Sequence, residues 1–299
     1  MARERVAIVR GGEPRKMIRQ AVTLAGGWWE TVAGAEVVLL KPNLTVPRRS
    51  GSGVVTDVRL VEGAIELLKE VGVRHVIVGD GPGGGDAPQA FRVAGYDHLP
   101  ARYGVELLDL NVAPARQVSV PGGMVYDKLW IPEIVLDADA VISLSVMKTH
   151  TDGLVTLTAK NSFGLPPTRL YGTPRVEFHS HGVDRVIHDI IRAVPFDYAV
   201  VDALMAMEAG GPIDGRPVAL GLVVAGQNTL AVDATCARIM DVDPWQVPHL
   251  CYLYRADAGP LVESDIEVVG ESIAVVQRPF ILPHSNQASY AQLLALGAA

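Results

Sequence analysis

Short apolar runs alternate with segments of helical spacing along most of the chain, and this alternation constrains the fold more than any other feature. Val6 to Val9, Val37 to Leu40, His75 to Gly79, Ala140 to Val146, Tyr198 to Val201 and Leu220 to Val224 read as strands. Between them, Pro14 to Val32, about Asp57 to Val71, Ala87 to Ala94, Val183 to Val194 and the segment that Asn228 caps read as helices. In the second of these, Leu60, Ala64, Leu67, Leu68 and Val71 recur at helical spacing. Strands alternating with helices predict an α/β fold in layers, with a mainly parallel or mixed sheet covered by helices. Shorter strands are expected at Val105 to Leu108, Gln117 to Val120 and Lys128 to Ile131. A helix, a strand near Ile266 to Val269 and a terminal helix near Ser289 to Leu296 follow Pro244. With no repeat and no clear linker, residues 1–299 are read as a single α/β domain, of which 246–299 form a C-terminal extension.

Composition narrows the function classes. The chain is 49% hydrophobic, enough for a sizeable core, and its net charge of -7 opposes general nucleic-acid binding, which relies on a basic surface. A local cationic pocket is compatible with that charge. Cys236 and Cys251 form no CxxC, so no cysteine-ligated cluster or disulfide framework is expected, and both read as buried thiols. Met1 to Gly12 lacks the apolar core of a signal peptide, and no run approaches a membrane span, which predicts a cytoplasmic protein without membrane contact.

The cations are unevenly chosen. Arginines number 20 and lysines 6, yet lysine occupies Lys41-Pro42-Asn43, Lys148-Thr149-His150 and Lys160-Asn161. Lysine offers a compact charge, rotatable donors and a pKa that burial can lower, so these positions suit anion binding or amine chemistry. In open α/β sheets ligands gather beyond the carboxyl ends of parallel strands, and four expected strand ends carry Lys41, Asp80, Lys148 and Asp202. Two lysines and two carboxylates there could bind an anion and exchange protons, or could form structural ion pairs.

Other segments leave alternatives open. Gly79-Asp80-Gly81-Pro82-Gly83-Gly84 matches GxGxxG between a strand and a helix, but Asp80 adds negative charge and Pro82 removes a donor, which counts against a dinucleotide. The glycines let a small ligand approach, or simply make a turn. Residues 151–178 are rich in glycine and proline, as functional loops often are. His150 suits a general acid/base or an oxyanion donor, and His181 is a further candidate for substrate binding. His179 and His181 could share a face, but HxH without a third ligand makes an incomplete zinc site. Glu208 lies in a glycine-proline turn, and Asp202, Glu208 and Asp233 are the candidate carboxylates for a divalent metal. Trp28 and Trp29 read as packing or interface residues.

Lys41-Pro42-Asn43, Gly79-Asp80, Lys148-Thr149-His150, Lys160 to Gly164, Val201-Asp202-Ala203, Glu208 to Gly215 and Ala231 to Ala234, in this order, resemble the family called domain of unknown function 362 over about residues 37 to 245. Lys41, Asn43, Asp80, Lys148, His150, Lys160, Asn161, Asp202, Glu208 and Asp233 fall on the family's recurring positions, for which the resemblance implies no assigned roles. Many members carry a fused ferredoxin-type module with two four-iron clusters. This chain lacks those cysteines and has Ala209 where the family usually has glycine.

These observations predict an enzyme acting on a small anionic metabolite, a carboxylate or phosphate. Lys41 and Lys148 are expected to bind the anion and His150 to move a proton. Asp80 or Asp202 would orient the histidine or a metal, and Asn43, Lys160, Asn161, Glu208 and His181 would complete the substrate site, with Lys160-Asn161 in a closing loop. The rival readings are a non-catalytic ligand-binding or accessory protein, with an iron-sulfur protein as partner, and divalent-metal-dependent phosphoryl transfer or hydrolysis. A homo-oligomer is compatible with either.

Overall fold

Strands buried on both faces belong in the middle of a covered sheet, and the chain's longest fully buried strand takes that place. In the computed structural model, which describes residues 3–283, Ala140–His150 is buried at every position. The strands are β1 (Glu4–Arg10), β2 (Val37–Pro42), β3 (His75–Asp80), β4 (Glu106–Asp109), β5 (Ala115–Ser119), β6 (Lys128–Pro132), β7 (Ala140–His150), β8 (Leu154–Thr156), β9 (Tyr198–Glu208), β10 (Arg216–Gly226) and β11 (Ile266–Gly270). Nine form one sheet in the order β11-β1-β10-β9-β7-β2-β3-β4, with β8 turned back on the end of β7, while β5 and β6 make a separate ribbon. The pairings of β9, β7, β2, β3 and β4 are all parallel, and β10 and β8 run against their neighbours. The carboxyl ends of β2, β3, β7 and β9 therefore share one rim.

Alternation along each strand divides the core in two. Leu39, Val141 and Val201 face a layer containing Ile187, Ala231 and Leu250. Leu40, Ile142 and Val200 face the opposite layer, with Ile18, Leu60 and Phe91. Two helices of this second layer are capped by side chains: Asp57 accepts a hydrogen bond from the Arg59 amide at 2.9 Å, and Asp86 accepts one from the Gln89 amide at 2.6 Å.

Four details depart from the sequence reading. The first helix ends at Leu24 rather than Val32, because Gly26 and Gly27 turn the chain with φ of 100° and 79°. Trp28 then enters the core, edge-on to Tyr198 at 5.4 Å, and Trp29 stays partly exposed. The strand expected to end at Asp202 continues to Glu208, since β10 folds back along its whole length. Likewise β7 passes Lys148 to reach His150 and pairs with β8, so Lys148 and Asp202 are interior strand residues. Cys236 is buried, but Cys251 is only half-buried.

The described residues after 245, up to 283, join the same layers. The helix Pro248–Arg255 packs on Val183–Ala193, and β11 extends the sheet beside β1. The helix expected at Ser289 to Leu296 lies outside the described residues. Among the described residues, no helix is long and apolar enough to cross a membrane.

Candidate functional site

The rim holds a buried polar chain that links both faces of the sheet. Lys41 points towards the face that carries the helical turn Thr158–Asn161, and its ammonium sits 2.5 Å from Asp80 and 3.2 Å from the Asn161 carbonyl oxygen. The other Asp80 oxygen accepts the Leu44 amide at 2.7 Å. Asn161 also donates to the Lys41 backbone oxygen at 3.1 Å and to Ser143 at 2.9 Å, and its carbonyl oxygen receives the Asn43 side chain at 3.2 Å. From the opposite face Lys148 donates to Asn43 at 2.8 Å, Thr45 at 3.3 Å and the Val54 carbonyl at 2.7 Å. Lysine, asparagine, asparagine, lysine and aspartate thus form one satisfied network. Such a network holds shape, because each buried polar group it contains would be costly to leave alone.

Burial and the charge of Lys160 press the Lys148 pKa down to about 7, yet three oxygens take all three donors of its ammonium form. That geometry is made for the charged form. Burial also lowers the Lys41 pKa, against the attraction of Asp80.

Beside this network opens a cavity of about 510 Å³, lined among others by Lys41, Asp80, His150, Lys160, Asn161 and Arg175. Three of its lining groups have donors left over. Lys160 is buried, with Nζ 3.8 Å from the centre of the Phe163 ring and, among the described residues, no hydrogen-bond acceptor. Burial, with the charge of Arg175 next, lowers its pKa to about 7. Arg175 is 2% exposed and, among the described residues, forms no ion pair, although Asp80 and Asp109 act on it by charge. Its Nε donates to the Pro166 carbonyl at 2.8 Å, and Nη2 meets the oxygens of Gly81, Asn111 and Gly164 at 3.0, 3.1 and 3.2 Å, which leaves Nη1 for the cavity. In His150, Nδ1 accepts the amides of Asp152 at 3.0 Å and Gly153 at 3.4 Å, so the proton of the neutral ring belongs on Nε2. Burial, followed by the charge of Lys160, holds that ring neutral by lowering its pKa well below the usual value. The Thr156 hydroxyl, also in the lining, is buried without a partner.

Glycine makes room for these charges. A Cβ at Gly164 would stand 2.8 Å from Lys41 Nζ and 3.0 Å from Asp80, and one at Gly81 would stand 2.8 Å from Arg175 Nη2. The glycine-rich loop therefore admits side chains to the site. Its own Gly83 and Gly84 amides both go to the Thr45 carbonyl, and Asp86 caps the next helix, so these donors are not free for a pyrophosphate.

Several predicted residues stand outside the cavity. Lys148 lies behind Asn43. Asp202 accepts the Asp57 and Leu204 amides at 2.7 and 2.9 Å, and burial raises its pKa to about 7. Asp233, raised by burial to about 6, accepts the Thr158 and Ala159 amides at 2.8 and 2.7 Å. It thereby fixes the turn that carries Lys160 and Asn161, which is a buried helical turn where a closing loop was expected. Glu208 is buried beneath Arg216 and accepts the Ile281 amide at 3.0 Å. His181 is exposed beside Tyr126, whereas His179 reaches the cavity lining and pairs with Asp152 at 3.2 Å. Among the described residues, no three His, Cys, Asp or Glu side chains converge as a metal site. Asp202, Glu208 and Asp233 each serve a different stretch of backbone.

Arg175 was not among the expected site residues. Its one local signal is the Gly172-Thr173-Pro174-Arg175 turn, which gives Arg175 a φ of 67°, uncommon for a residue with a side chain. Strain of this kind collects at functional sites.

The comparisons with known proteins agree with this architecture. A thylakoid-associated protein of Synechocystis sp. (strain ATCC 27184 / PCC 6803 / Kazusa) is 26% identical over 245 residues, covering 81% of this chain and 75% of that protein. The lactate racemase apoprotein from Thermoanaerobacterium thermosaccharolyticum shares the fold with a TM-score of 0.53 at 13% identity, over 81% of this chain. The chain spans 58% of the length of that racemase. Residues 38–238 match the family described as domain of unknown function (DUF362), and the chain belongs to that family.

Proposed function

We propose that the protein is an enzyme acting on a small anionic metabolite, a carboxylate or a phosphate, bound in the rim cavity. The observation that carries this reading is the pair of buried cations in the lining of one cavity, Lys160 and Arg175, that form no ion pair among the described residues. Lys41 is paired directly with Asp80, whereas Arg175 feels Asp80 and Asp109, and Lys160 feels Asp152 and Asp184, without an ion-pair contact. A buried cation with no carboxylate in contact is costly, and an anionic ligand would relieve that cost. Arg175 Nη1 and Lys160 would hold the anion, while His150 Nε2–H would donate to charge developing on a neighbouring oxygen. Lys148, Asn43 and Asn161 would keep the site in register from behind. The likeness to a lactate racemase adds that one protein of this fold acts on a small carboxylate.

Thermal unfolding of purified protein with acetate, 2-hydroxypropanoate, pyruvate and inorganic phosphate tests the reading. A ligand at about 100 times its Kd should add about 2.7 kcal/mol. Stabilisation by one of these anions, abolished in Lys160→Met, is the expected result. No stabilisation by any of them would remove the small-anion reading.

A further inference from the structure

The amine of Lys160 is placed for more than charge. Lys41 and Lys148 spend their donors on oxygen acceptors, while Lys160 Nζ meets only the face of Phe163. Burial, with the charges of Arg175 and Lys41, favours the free amine, while Asp152, Asp184 and the ring face favour the ammonium form. The balance falls at about 7, so a sizeable fraction of the amine keeps its lone pair at neutral pH. The side chain also lies against the turn that fixes His150: a Cβ at Gly153 would stand 3.8 Å from Lys160 Cδ and Cε. That turn supplies the amides that leave the His150 proton on Nε2. A nucleophilic nitrogen, a proton donor and an unpaired guanidinium edge therefore line one cavity.

We propose that Lys160 forms a Schiff base with a 2-oxo acid, whose carboxylate binds Arg175 Nη1 and whose carbonyl oxygen faces His150. This rests on the small-anion reading and narrows it to acids with a carbonyl beside the carboxylate. The Lys160 lone pair forms a C–N bond to the carbonyl carbon as the C–O π pair moves to oxygen. His150 Nε2–H donates a hydrogen bond to that oxygen while one proton passes from nitrogen to oxygen through cavity water, giving a carbinolamine with the ring still neutral. The second nitrogen proton follows the same route to the hydroxyl, which leaves as water while the nitrogen lone pair forms C=N. No electron acceptor is required, and one water leaves for each imine formed.

Trapping with sodium cyanoborohydride tests the step, read by peptide mass spectrometry on wild-type protein. With pyruvate at neutral pH, the peptide holding Lys160 should gain the oxo acid less one water plus two hydrogens. Exposed Lys16 serves as the internal reference, with a side chain 78% exposed. Lys160 should react on the order of tenfold faster than Lys16, whose ammonium is paired with Glu13 at 2.7 Å. Acetone, which has the carbonyl but no carboxylate, should label Lys160 more slowly than pyruvate does, and Lys160→Arg should lose the site-specific adduct. Labelling of Lys160 no faster than Lys16 would overturn the proposal, and equal labelling by acetone would overturn its carboxylate half. Thermal unfolding with pyruvate and no reductant separates the two levels. Stabilisation without an adduct rejects the Schiff base and leaves the anion site standing, whereas neither stabilisation nor adduct rejects both.

Discussion

Two groups of buried cations meet at the same strand rim and differ in what surrounds them. Lys41 and Lys148 are enclosed by acceptors, joined through Asn43 and Asn161 and anchored at Asp80. Lys160 and the Nη1 edge of Arg175 border the cavity with no protein acceptor. The first group behaves as fold: remove a member and its neighbours are left buried and unsatisfied. The second behaves as a site, since its unmet donors cost stability that only a ligand returns.

The largest expected effect breaks the closed group. Asp80→Ala leaves Lys41 and the Leu44 amide without their acceptor and should cost about 3–5 kcal/mol in urea unfolding. A cost below about 1 kcal/mol would mean the pair holds nothing together. Gly164→Ala tests the same spot by shape, because its Cβ would stand 2.8 Å from Lys41 Nζ. Overpacking of that kind should cost about 1–3 kcal/mol by the same assay.

The open group should respond differently. Lys160→Met roughly conserves volume and removes a buried charge, so its stability at neutral pH should equal or exceed that of wild type, while stabilisation by small anions disappears. A loss above about 2 kcal/mol would place Lys160 with the structural lysines. The comparison sharpens with pH. The folded-state pKa of Lys160 falls from 10.5 to about 7, so between those values the unfolded chain holds a proton that the folded chain lacks. Wild-type stability relative to Lys160→Met should therefore decline as pH drops from about 10 to about 7 and stay level below that. Chemical denaturation across that range reads the slope, and a flat difference would contradict the shift.

The contrast also shows what could be read in the sequence. The apolar runs that became β2, β3 and β7 located Lys41, Asp80 and Lys148, with His150 just beyond it, at one rim, because buried parallel strands leave their carboxyl ends to the chemistry. Which lysine faces the ligand was not legible. Lys148 is taken by Asn43, Thr45 and the Val54 carbonyl, partners more than 90 residues away in the chain. Asp202 looked like a rim residue because the apolar run stops there, but pairing with β10 carries the strand on to Glu208. Asp202 and Asp233 instead cap distant backbone, a role that depends on tertiary approach and leaves no local pattern. Arg175 depends on a turn and on the room left by Gly81, and neither marks it as buried until the loops meet.

The most direct measurement is a crystal structure of the protein soaked with pyruvate. The account predicts the carboxylate within hydrogen-bond distance of Arg175 Nη1, the carbonyl carbon at Lys160 Nζ, and the contacts of Lys41 with Asp80 and of Lys148 with Asn43 unchanged. A carboxylate seated on Lys148, or one that displaces Lys41 from Asp80 while Lys160 stays unliganded, would contradict the division between closed network and open site.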